Sequence, residues 1–351
     1  MSDVDPDLTI VTGGAGFIGG HLVEILVQSG RRVRVVEHPN ADIARLPSTV
    51  EVVRADIRDR AAVRDAVRGG RWVYHLAANP NLWTRDRRDF DAVNHQGAVH
   101  VIDESLAAGA ERILHTSTES ILTRARGREA IDEDVEVEPA DAVGPYCLSK
   151  LLAERAAFER ARAGSPVVVA NPTMPVGPRD PGLSPPTRLI RDFCRGRLPA
   201  MMECTLNLID VRDVAEGLIR VMERGRTGRR YLLGGENLDL SSLFAVLSEL
   251  SGVPVPSWRI PYTLGLATAW LSELWADHVS GATPQATLTG VRLTRRMLHF
   301  NSTRSRDELS LKMRPIRQSL ADAVDWLRDS GQLLVLNRSQ TARPSRRNTK
   351  A

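Results

Sequence analysis

The sequence lacks the residue patterns from which disulfide networks and metal sites are built. It contains three cysteines, Cys147, Cys194 and Cys204, whose uneven spacing forms neither a disulfide framework nor a cysteine-rich metal site. The eight histidines also lack the spacing of metal ligands. We therefore expect no bound metal, and free thiols in a reducing cytoplasm.

Long apolar segments are also absent. The first seven residues carry three aspartates and no apolar run, so we expect a flexible N-terminus (residues 1–7) without a secretory signal. No stretch approaches the roughly 18 apolar residues that a transmembrane helix needs. These absences favour a cytoplasmic protein.

The folded body lacks an excess of positive charge. The formal net charge is +4, from 47 basic and 43 acidic residues. Five basic residues and no acidic ones lie between Asn337 and the end of the sequence, so the rest is close to neutral. We therefore expect no nucleic-acid partner. Residues 331–351 are predicted to be a basic, disordered tail, either solvated or in contact with anionic lipid.

What the sequence does contain is an alternation of short apolar runs and helical patterns. Strands are predicted at 8–12, 33–37, 50–54, 72–76, 112–116 and 167–170, and helices at 17–28, 60–67, 90–108 and 146–163. This order predicts an α/β fold with a doubly wound parallel sheet of the Rossmann type over residues 8–170. Such sheets bind ligands at the carboxyl ends of their strands.

The pattern changes after residue 170. Residues 171–186 are rich in proline and predict a long loop. Beyond it, a strand at 205–209, a helix at 211–224 and a strand at 230–233 precede mostly helical segments up to about residue 330. We interpret residues 171–330 as a smaller, mostly helical substrate-binding region that is interleaved with the first domain.

A glycine-rich turn connects the first predicted strand to the first predicted helix. Gly13 permits a tight turn, Gly16 lets the backbone approach a pyrophosphate, and Gly19 permits close packing of the helix on the sheet. Phosphates would then meet the free N–H groups of the first helical turn, which contains Phe17 and Ile18. The pattern predicts a dinucleotide site.

The second predicted strand ends at Glu37, whose carboxylate can accept hydrogen bonds from the adenosine ribose and would repel a 2′-phosphate. This residue favours NAD over NADP, although Arg34 and His38 lie nearby. Asp56 and Ile57 follow the third strand, where they would meet the adenine edge. The alternative for Asp56 is a helix cap.

Tyr146 and Lys150 are four residues apart, on one face of a predicted helix. A free tyrosine is a poor base at neutral pH. A neighbouring ammonium stabilises the phenolate and lowers the pKa of the tyrosine, which makes it a usable general acid and base.

Together these motifs resemble the extended short-chain dehydrogenases/reductases, the NAD-dependent epimerase/dehydratase family, over residues 8–330. The resemblance rests on the glycine turn, Asp56-Ile57, Leu76-Ala77-Ala78, Asn94, Thr116-Ser117-Thr118 and Tyr146 with Lys150. It implies that Thr118, with Ser117 as the alternative, holds the substrate oxygen. It also implies that Tyr146 transfers a proton and Lys150 holds the nicotinamide ribose, with Ala77, Asn94 and Pro172 as further cofactor contacts.

Segments 81–86, 171–180 and 233–237 are most similar to hopanoid-associated sugar epimerases, dihydroflavonol reductases and 3β-hydroxysteroid dehydrogenases. Nucleotide-sugar enzymes of the family have an asparagine and an arginine where this chain has Met174 and Leu206. A diphosphate without its cationic partner is poorly compensated, so we expect an apolar substrate site. Trp83, past the fourth strand, is a third substrate candidate, with packing as its alternative role.

Residues 262–275 form an apolar helical stripe with two tryptophans. Such stripes usually pack into a core. Together with the basic tail, this one also suggests a peripheral contact with the inner membrane surface. A homodimer is a further expectation.

The sequence therefore predicts an NAD-dependent oxidoreductase that interconverts a secondary alcohol and a ketone on a hydrophobic or lipid-like substrate. Ketosteroids, 3-ketoacyl lipids and flavanonols are the substrate types considered. One alternative is a sugar or nucleotide-sugar epimerase or dehydratase with tightly held NAD. The other is a non-catalytic NAD(H)-binding subunit.

Overall fold

The parallel sheet predicted from the apolar runs is present at the centre of the molecule. The structure, a computed structural model, describes residues 4–123, 129–296 and 298–333. Most of the predicted basic tail, from residue 334 onward, lies outside these residues, as do residues 1–3 of the predicted flexible N-terminus. Residues 5–7 of that N-terminus are not a free segment, because they begin the first strand.

The described residues form twelve strands and eleven α-helices. The strands are β1 (Asp5–Thr12), β2 (Arg32–Glu37), β3 (Glu51–Arg54), β4 (Gly70–His75), β5 (Arg112–Thr116), β6 (Val167–Pro172), β7 (Met174–Val176), β8 (Ala200–Met201), β9 (Thr205–Asp210), β10 (Arg230–Leu233), β11 (Glu236–Asp239) and β12 (Trp258–Arg259). The α-helices are α1 (Phe17–Gln28), α2 (Arg60–Ala66), α3 (Gly97–Ala107), α4 (Gly144–Arg162), α5 (Pro185–Cys194), α6 (Val211–Arg224), α7 (Leu240–Ser251), α8 (Tyr262–Trp275), α9 (Leu288–Leu293), α10 (Thr303–Leu309) and α11 (Ile316–Asp329).

The main sheet has the strand order β10-β6-β5-β4-β1-β2-β3, and all neighbouring strands are parallel. The chain runs outward from β1 in one direction through β2 and β3, then returns to β4 on the other side. This reversal opens a crevice at the carboxyl ends of β1 and β4, where Thr12 is in register with His75. The predicted doubly wound sheet is thus confirmed.

Helices cover both faces of this sheet because successive strand residues point to opposite sides. On β1, Val11 packs with α1 and α6, whereas Ile10 packs with α2, α3 and α4. Both faces of the strands are therefore apolar, which explains the near-continuous apolar runs in the sequence.

A second, smaller sheet has the order β11-β9-β7. It forms a separate hydrophobic cluster with α5, α7 and α11, in which Phe193 and Phe244 stack at a centroid distance of 4.7 Å. Residues 171–330 are nevertheless interleaved with the first domain. They supply β10 to the edge of the main sheet and α6 to its surface.

The prediction of a loop throughout residues 171–186 is wrong. This segment contains the end of β6, the whole of β7 and the start of α5. Pro175 is tolerated because β7 is an edge strand, and Pro185 and Pro186 are tolerated because they lie in the first turn of α5, where no N–H group is needed. The helix predicted over 90–108 begins with a π-helical segment, Phe90–Gln96, before α3.

Among the described helices, none has the length and apolar character to cross a bilayer. The described part of the chain also contains no cluster of three side chains arranged to hold a metal ion.

Candidate active site

The glycine turn between β1 and α1 is packed against the loop that follows β4. Gly13 has a φ of 73°, and a Cβ atom placed on it would lie 2.7 Å from the backbone nitrogen of Ala77. A Cβ atom on Gly19 would overlap the carbonyl oxygen of Gly13. Both positions therefore require glycine, one for its backbone conformation and both for close approach.

The N-terminus of α1 fits a dinucleotide phosphate. Gly16 occupies the cap position and no side chain caps the helix, so among the described residues the first N–H groups of α1 have no side-chain partner. Phe17 and Ile18 in this first turn are half-buried. The glycine turn, the free N–H groups and the adjacent carboxylate of Glu37 together match the chemistry of a phosphate-linked dinucleotide.

Glu37 ends β2 directly beneath this turn. Its Oε1 atom accepts a hydrogen bond from the backbone nitrogen of Ala15 at 2.5 Å. Burial raises the pKa of Glu37, and the hydrogen bond from Ala15 opposes this shift. The carboxylate is thus attached to the turn, at the position predicted to meet the adenosine ribose.

Asp56 does not cap a helix, because Asp59 caps α2 by accepting hydrogen bonds from two backbone N–H groups. Asp56 instead pairs with Arg58 at 2.6 Å, and this contact lowers the pKa of its carboxyl group. Ile57 is buried against Gly97. Asp56 and Ile57 thus follow the end of β3, and the side chain of Asp56 is half-exposed.

Asn94 is buried in the π-helical segment. Its Oδ1 atom accepts a hydrogen bond from the backbone nitrogen of Asn79 at 2.7 Å, and its Nδ2 atom donates to the Asn79 carbonyl and to Ser149. Asn94 therefore fixes the loop containing Ala77 to α4. Pro172 is buried at the carboxyl end of β6, opposite Leu233.

Lys150 is buried in the second turn of α4, and its Nζ atom donates a hydrogen bond to the carbonyl oxygen of Thr116 at 2.7 Å. Burial lowers the pKa of Lys150 to about 8, while the charge of Glu154 acts in the opposite direction. The ammonium group is thus positioned by the end of β5.

Two buried histidines lie on the same side of the sheet as Lys150. His75 on β4 and His115 on β5 stack at a centroid distance of 5.4 Å. Burial, followed by the charge of Lys150, lowers the pKa of both rings. Both are therefore neutral at physiological pH, which leaves Lys150 as the positive charge of this group.

Tyr146 is buried in the first turn of α4, with its ring edge-on to Phe90 at 6.2 Å. Burial raises its pKa above the usual value, and the charge of Glu119 raises it further. The lowering of this pKa expected from the sequence is therefore not found in the protein alone. The hydroxyl groups of Thr118 and Ser120 oppose the rise through hydrogen bonding.

Thr118 follows β5 and caps a short 3₁₀ helix, Glu119–Leu122. Its Oγ1 atom donates a hydrogen bond to Glu119 and lies 2.8 Å from Ser120 Oγ. Ile121 and Leu122 of this 3₁₀ helix pack in one hydrophobic cluster with Tyr146, so the helix capped by Thr118 lies against the tyrosine. The Oγ atom of Ser117 is buried and has no hydrogen-bond partner among the described residues.

Glu119 was not identified as a site residue from the sequence. Burial raises its pKa to about 7, and the hydrogen bond from Thr118 opposes that rise. The sequence did contain a signal that could have identified it: Glu119 directly follows the hydroxyl residues Thr116, Ser117 and Thr118 at the end of a predicted strand. A carboxyl group at the carboxyl end of such a strand lies in the ligand crevice.

A model of the NAD-dependent epimerase/dehydratase family matches residues 9–234, which contain the glycine turn, Thr118, Tyr146 and Lys150. The chain belongs to this family. It is an NAD-dependent enzyme of the extended short-chain dehydrogenase/reductase type.

Individual members of the family match almost the whole chain. A Synechocystis sp. protein provisionally named dihydroflavonol 4-reductase is 33% identical over 332 residues, covering 93% of this chain and 96% of the relative. Sterol demethylase protein B of Methylococcus capsulatus is 33% identical over 327 residues, covering 93% and 99%. The crystal structure of gox2253 superposes with a TM-score of 0.82 at 33% identity, covering 93% and 100%.

The two residues predicted to contact substrate from the second region, Met174 and Leu206, lie in the second sheet. Met174 on β7 and Leu206 on β9 are both half-buried and pack against the hydrophobic cluster of that sheet. Both side chains therefore have apolar neighbours.

Trp83 is buried and not on an open rim. Its Nε1 atom donates a hydrogen bond to Asp277 at 3.0 Å, and the guanidinium of Arg87 lies 5.3 Å from its ring. It anchors the segment that follows α8 to the loop after β4. This packing role was the alternative interpretation of Trp83.

Two arginines of the second region, Arg179 and Arg188, contact residues of the first domain. Arg179 pairs with Glu24 on α1 at 2.5 Å, so its guanidinium is directed to the surface of the first domain. Arg188 on α5, not identified from the sequence, donates a hydrogen bond to Asn81 at 2.7 Å. It links the second sheet's helix layer to the loop after β4.

Proposed function

We propose that this enzyme interconverts a secondary alcohol and a ketone on a hydrophobic or lipid-like substrate, of ketosteroid, 3-ketoacyl lipid or flavanonol type. The observation that carries the proposal is that Tyr146 and Thr118 lie together at the carboxyl ends of the strands, the same end of the sheet as the glycine turn. The apolar surroundings of Met174 and Leu206, and relatives named for a flavonoid and a sterol, support the substrate class.

In this proposal each side chain has one task. Thr118 holds the substrate oxygen, and Tyr146 transfers the hydroxyl proton. Burial keeps Tyr146 protonated at neutral pH, which suits donation of that proton to a ketone oxygen. Lys150, fixed on Thr116, holds the nicotinamide ribose and places positive charge near the reacting centre. NAD(H), when bound, supplies or accepts the hydride.

The proposed cofactor is NAD in preference to NADP. Its pyrophosphate would lie over the first turn of α1, and its adenosine ribose would meet Glu37. A carboxylate beneath the turn would repel a 2′-phosphate. It would also lose the hydrogen bond that the ribose 2′-hydroxyl of NAD can donate to it. Asp56 and Ile57 would border the adenine.

A cofactor-linked assay tests the proposed function. We expect a hydrophobic ketone to be reduced with consumption of one NADH per product, and with a higher kcat/KM for NADH than for NADPH. Glu37→Ala should narrow that preference, whereas Glu51→Ala, on the exposed neighbouring strand, should preserve it. UDP- and dTDP-sugars should not compete.

Two outcomes would contradict the proposal. Conversion of a nucleotide sugar without net change in NADH would indicate an epimerase or dehydratase. Cofactor binding with no turnover on ketosteroids, 3-ketoacyl lipids, flavanonols or sugars would indicate a non-catalytic subunit. A preference of the unmodified protein for NADPH would contradict only the role assigned to Glu37, and the proposed reaction would stand.

We further propose that the outer face of α8 contacts an anionic membrane surface. Five large apolar side chains of α8 are 42–62% exposed: Leu264, Trp270, Leu271, Leu274 and Trp275. Trp258 on β12 and Val279 in the segment after α8 are exposed as well. A concentration of exposed large apolar side chains on one helix marks an interaction site. Arg292 and Arg295, on and just after the adjacent α9, are exposed, while Glu273 and Asp277 are paired with Arg87. Tryptophans beside arginines that have no carboxylate partner among the described residues match an anionic bilayer surface.

Vesicle co-sedimentation tests this contact. The protein should bind phosphatidylserine-containing vesicles and bind pure phosphatidylcholine vesicles more weakly, since the arginines would lose their partners. Replacing Trp270 and Trp275 by Ser should abolish binding while activity on a soluble ketone remains. A dimer in sedimentation velocity that the same double variant dissociates would instead identify a second copy as the partner of this face.

A further inference from the structure

The proposed mechanism leaves one ionisable group of the site without a task. Glu119 is the first residue after Thr118, and its Oε2 atom accepts a hydrogen bond from Thr118 Oγ1 at 2.8 Å. Ser120 Oγ lies 2.8 Å from the same Thr118 oxygen. The hydroxyl proposed to hold the substrate oxygen is therefore already bonded to a carboxylate.

The groups around Glu119 come from two elements. Its own 3₁₀ helix supplies the hydroxyl of the capping residue Thr118 and the backbone N–H groups of Glu119 and Ser120, which stabilise the carboxylate. Helix α4 supplies Tyr146 and Cys147, and the charge of Glu119 raises the pKa of both. Burial raises the pKa of Glu119 itself to about 7.

The direction of the Thr118 hydroxyl decides which substrate form it can bind. A ketone oxygen only accepts hydrogen bonds, so Thr118 must donate to it. When Glu119 is ionised, the Thr118 proton is directed to the carboxylate instead. When Glu119 carries a proton, its own O–H group can donate to Thr118 Oγ1, and the Thr118 proton becomes available to the ketone.

We infer that Glu119 is a positioning residue whose protonation sets whether Thr118 donates or accepts the hydrogen bond to the substrate oxygen. This inference rests on the proposed function, since it assigns the substrate oxygen to Thr118. The carboxyl proton exchanges with solvent and is not consumed. The enzyme is accordingly competent for ketone binding below the pKa of Glu119 and loses this competence as the pH rises through it.

Glu119→Gln tests the inference, because its amide N–H₂ can donate to Thr118 at every pH. The unmodified enzyme should show a fall in kcat/KM for ketone reduction with an inflection near pH 7, whereas the variant should keep its acidic value up to about pH 8. Two controls retain the carboxylate at 119 and should retain the inflection. They are Ser120→Ala in the same cluster and Glu138→Gln, a surface residue paired with Arg155.

A second measurement needs no turnover. In the NAD-loaded protein, the tyrosinate absorbance that is lost in Tyr146→Phe reports the ionisation of Tyr146. Removing the negative charge at 119 should lower the pH of this ionisation by about one unit or more, since a like charge nearby opposes the phenolate. Thermal melting checks that Glu119→Gln is folded.

The two measurements separate the inference from the proposed function. An unchanged inflection near pH 7 in Glu119→Gln, or an unchanged tyrosinate titration, would overturn the role of Glu119. Failure of the unmodified protein to reduce any ketone would overturn the proposed function. In that case the titration alone decides whether Glu119 controls the protonation of the site.

Discussion

Tyr146→Phe should lower kcat for ketone reduction by about 10²–10⁴-fold, the usual contribution of a positioned general acid. Only the phenolic oxygen is removed, while the ring and its edge-on contact with Phe90 remain. The affinity for NADH should therefore change little. Steady-state kinetics together with NADH fluorescence titration would measure both quantities.

A matched control is Tyr262→Phe at the start of α8. The cation–π contact of its ring with Arg295, at 3.9 Å, is preserved in phenylalanine, and the residue lies outside the site. Its kcat should match that of the unmodified enzyme. If Tyr146→Phe retained most of the activity, another group would have to supply the proton.

Gly19→Ala should abolish cofactor binding in the micromolar range and lower the free energy of unfolding by about 1–3 kcal/mol, the usual cost of overpacking. The added Cβ atom would overlap the Gly13 carbonyl oxygen and lie 2.8 Å from Gly14 Cα. Both are backbone atoms that cannot rotate away, so α1 must move from the turn. Isothermal titration with NADH and chemical denaturation would measure the two effects.

Gly20→Ala is the control for the same substitution one residue later. A Cβ atom there meets only the Gly14 carbonyl oxygen at 3.9 Å, an ordinary contact. Replacing a helical glycine by alanine should increase stability by roughly 0.5–1 kcal/mol and leave NADH binding intact. Equal cofactor affinity in both variants would show that the turn is not the cofactor site.

The elements that could be predicted from the sequence are those with apolar residues on two faces or a clear helical period. The bounds of α1, β5, α6 and β10 agree with the prediction because each begins or ends at a change in this periodicity. Strand β7 could not be predicted, since an edge strand with a proline carries no such pattern. The start of β1 was missed because Asp5-Pro6-Asp7 does not continue the apolar run of the strand, and Asp5 instead forms an ion pair with Arg32.

Spacing along the chain predicts that Tyr146 and Lys150 share one helix, and both lie on α4. The candidate site was less predictable where contacts join distant segments. The packing of Trp83 against Asp277, 194 residues later, depends on tertiary structure. The pKa of Tyr146 likewise follows from burial and from the charge of Glu119, and neither can be inferred from the spacing of Tyr and Lys.

The position of β10 at the edge of the main sheet has a consequence for synthesis of the chain. All six residues of β6 are buried in the finished protein, yet its outer neighbour is made only after about 60 further residues. At the usual translation rates, roughly 3–12 seconds separate the two strands on the ribosome. During that interval the nascent chain presents an unpaired apolar edge, the kind of surface that promotes aggregation. We therefore expect the N-terminal half to require chaperone protection until Leu233 has left the exit tunnel.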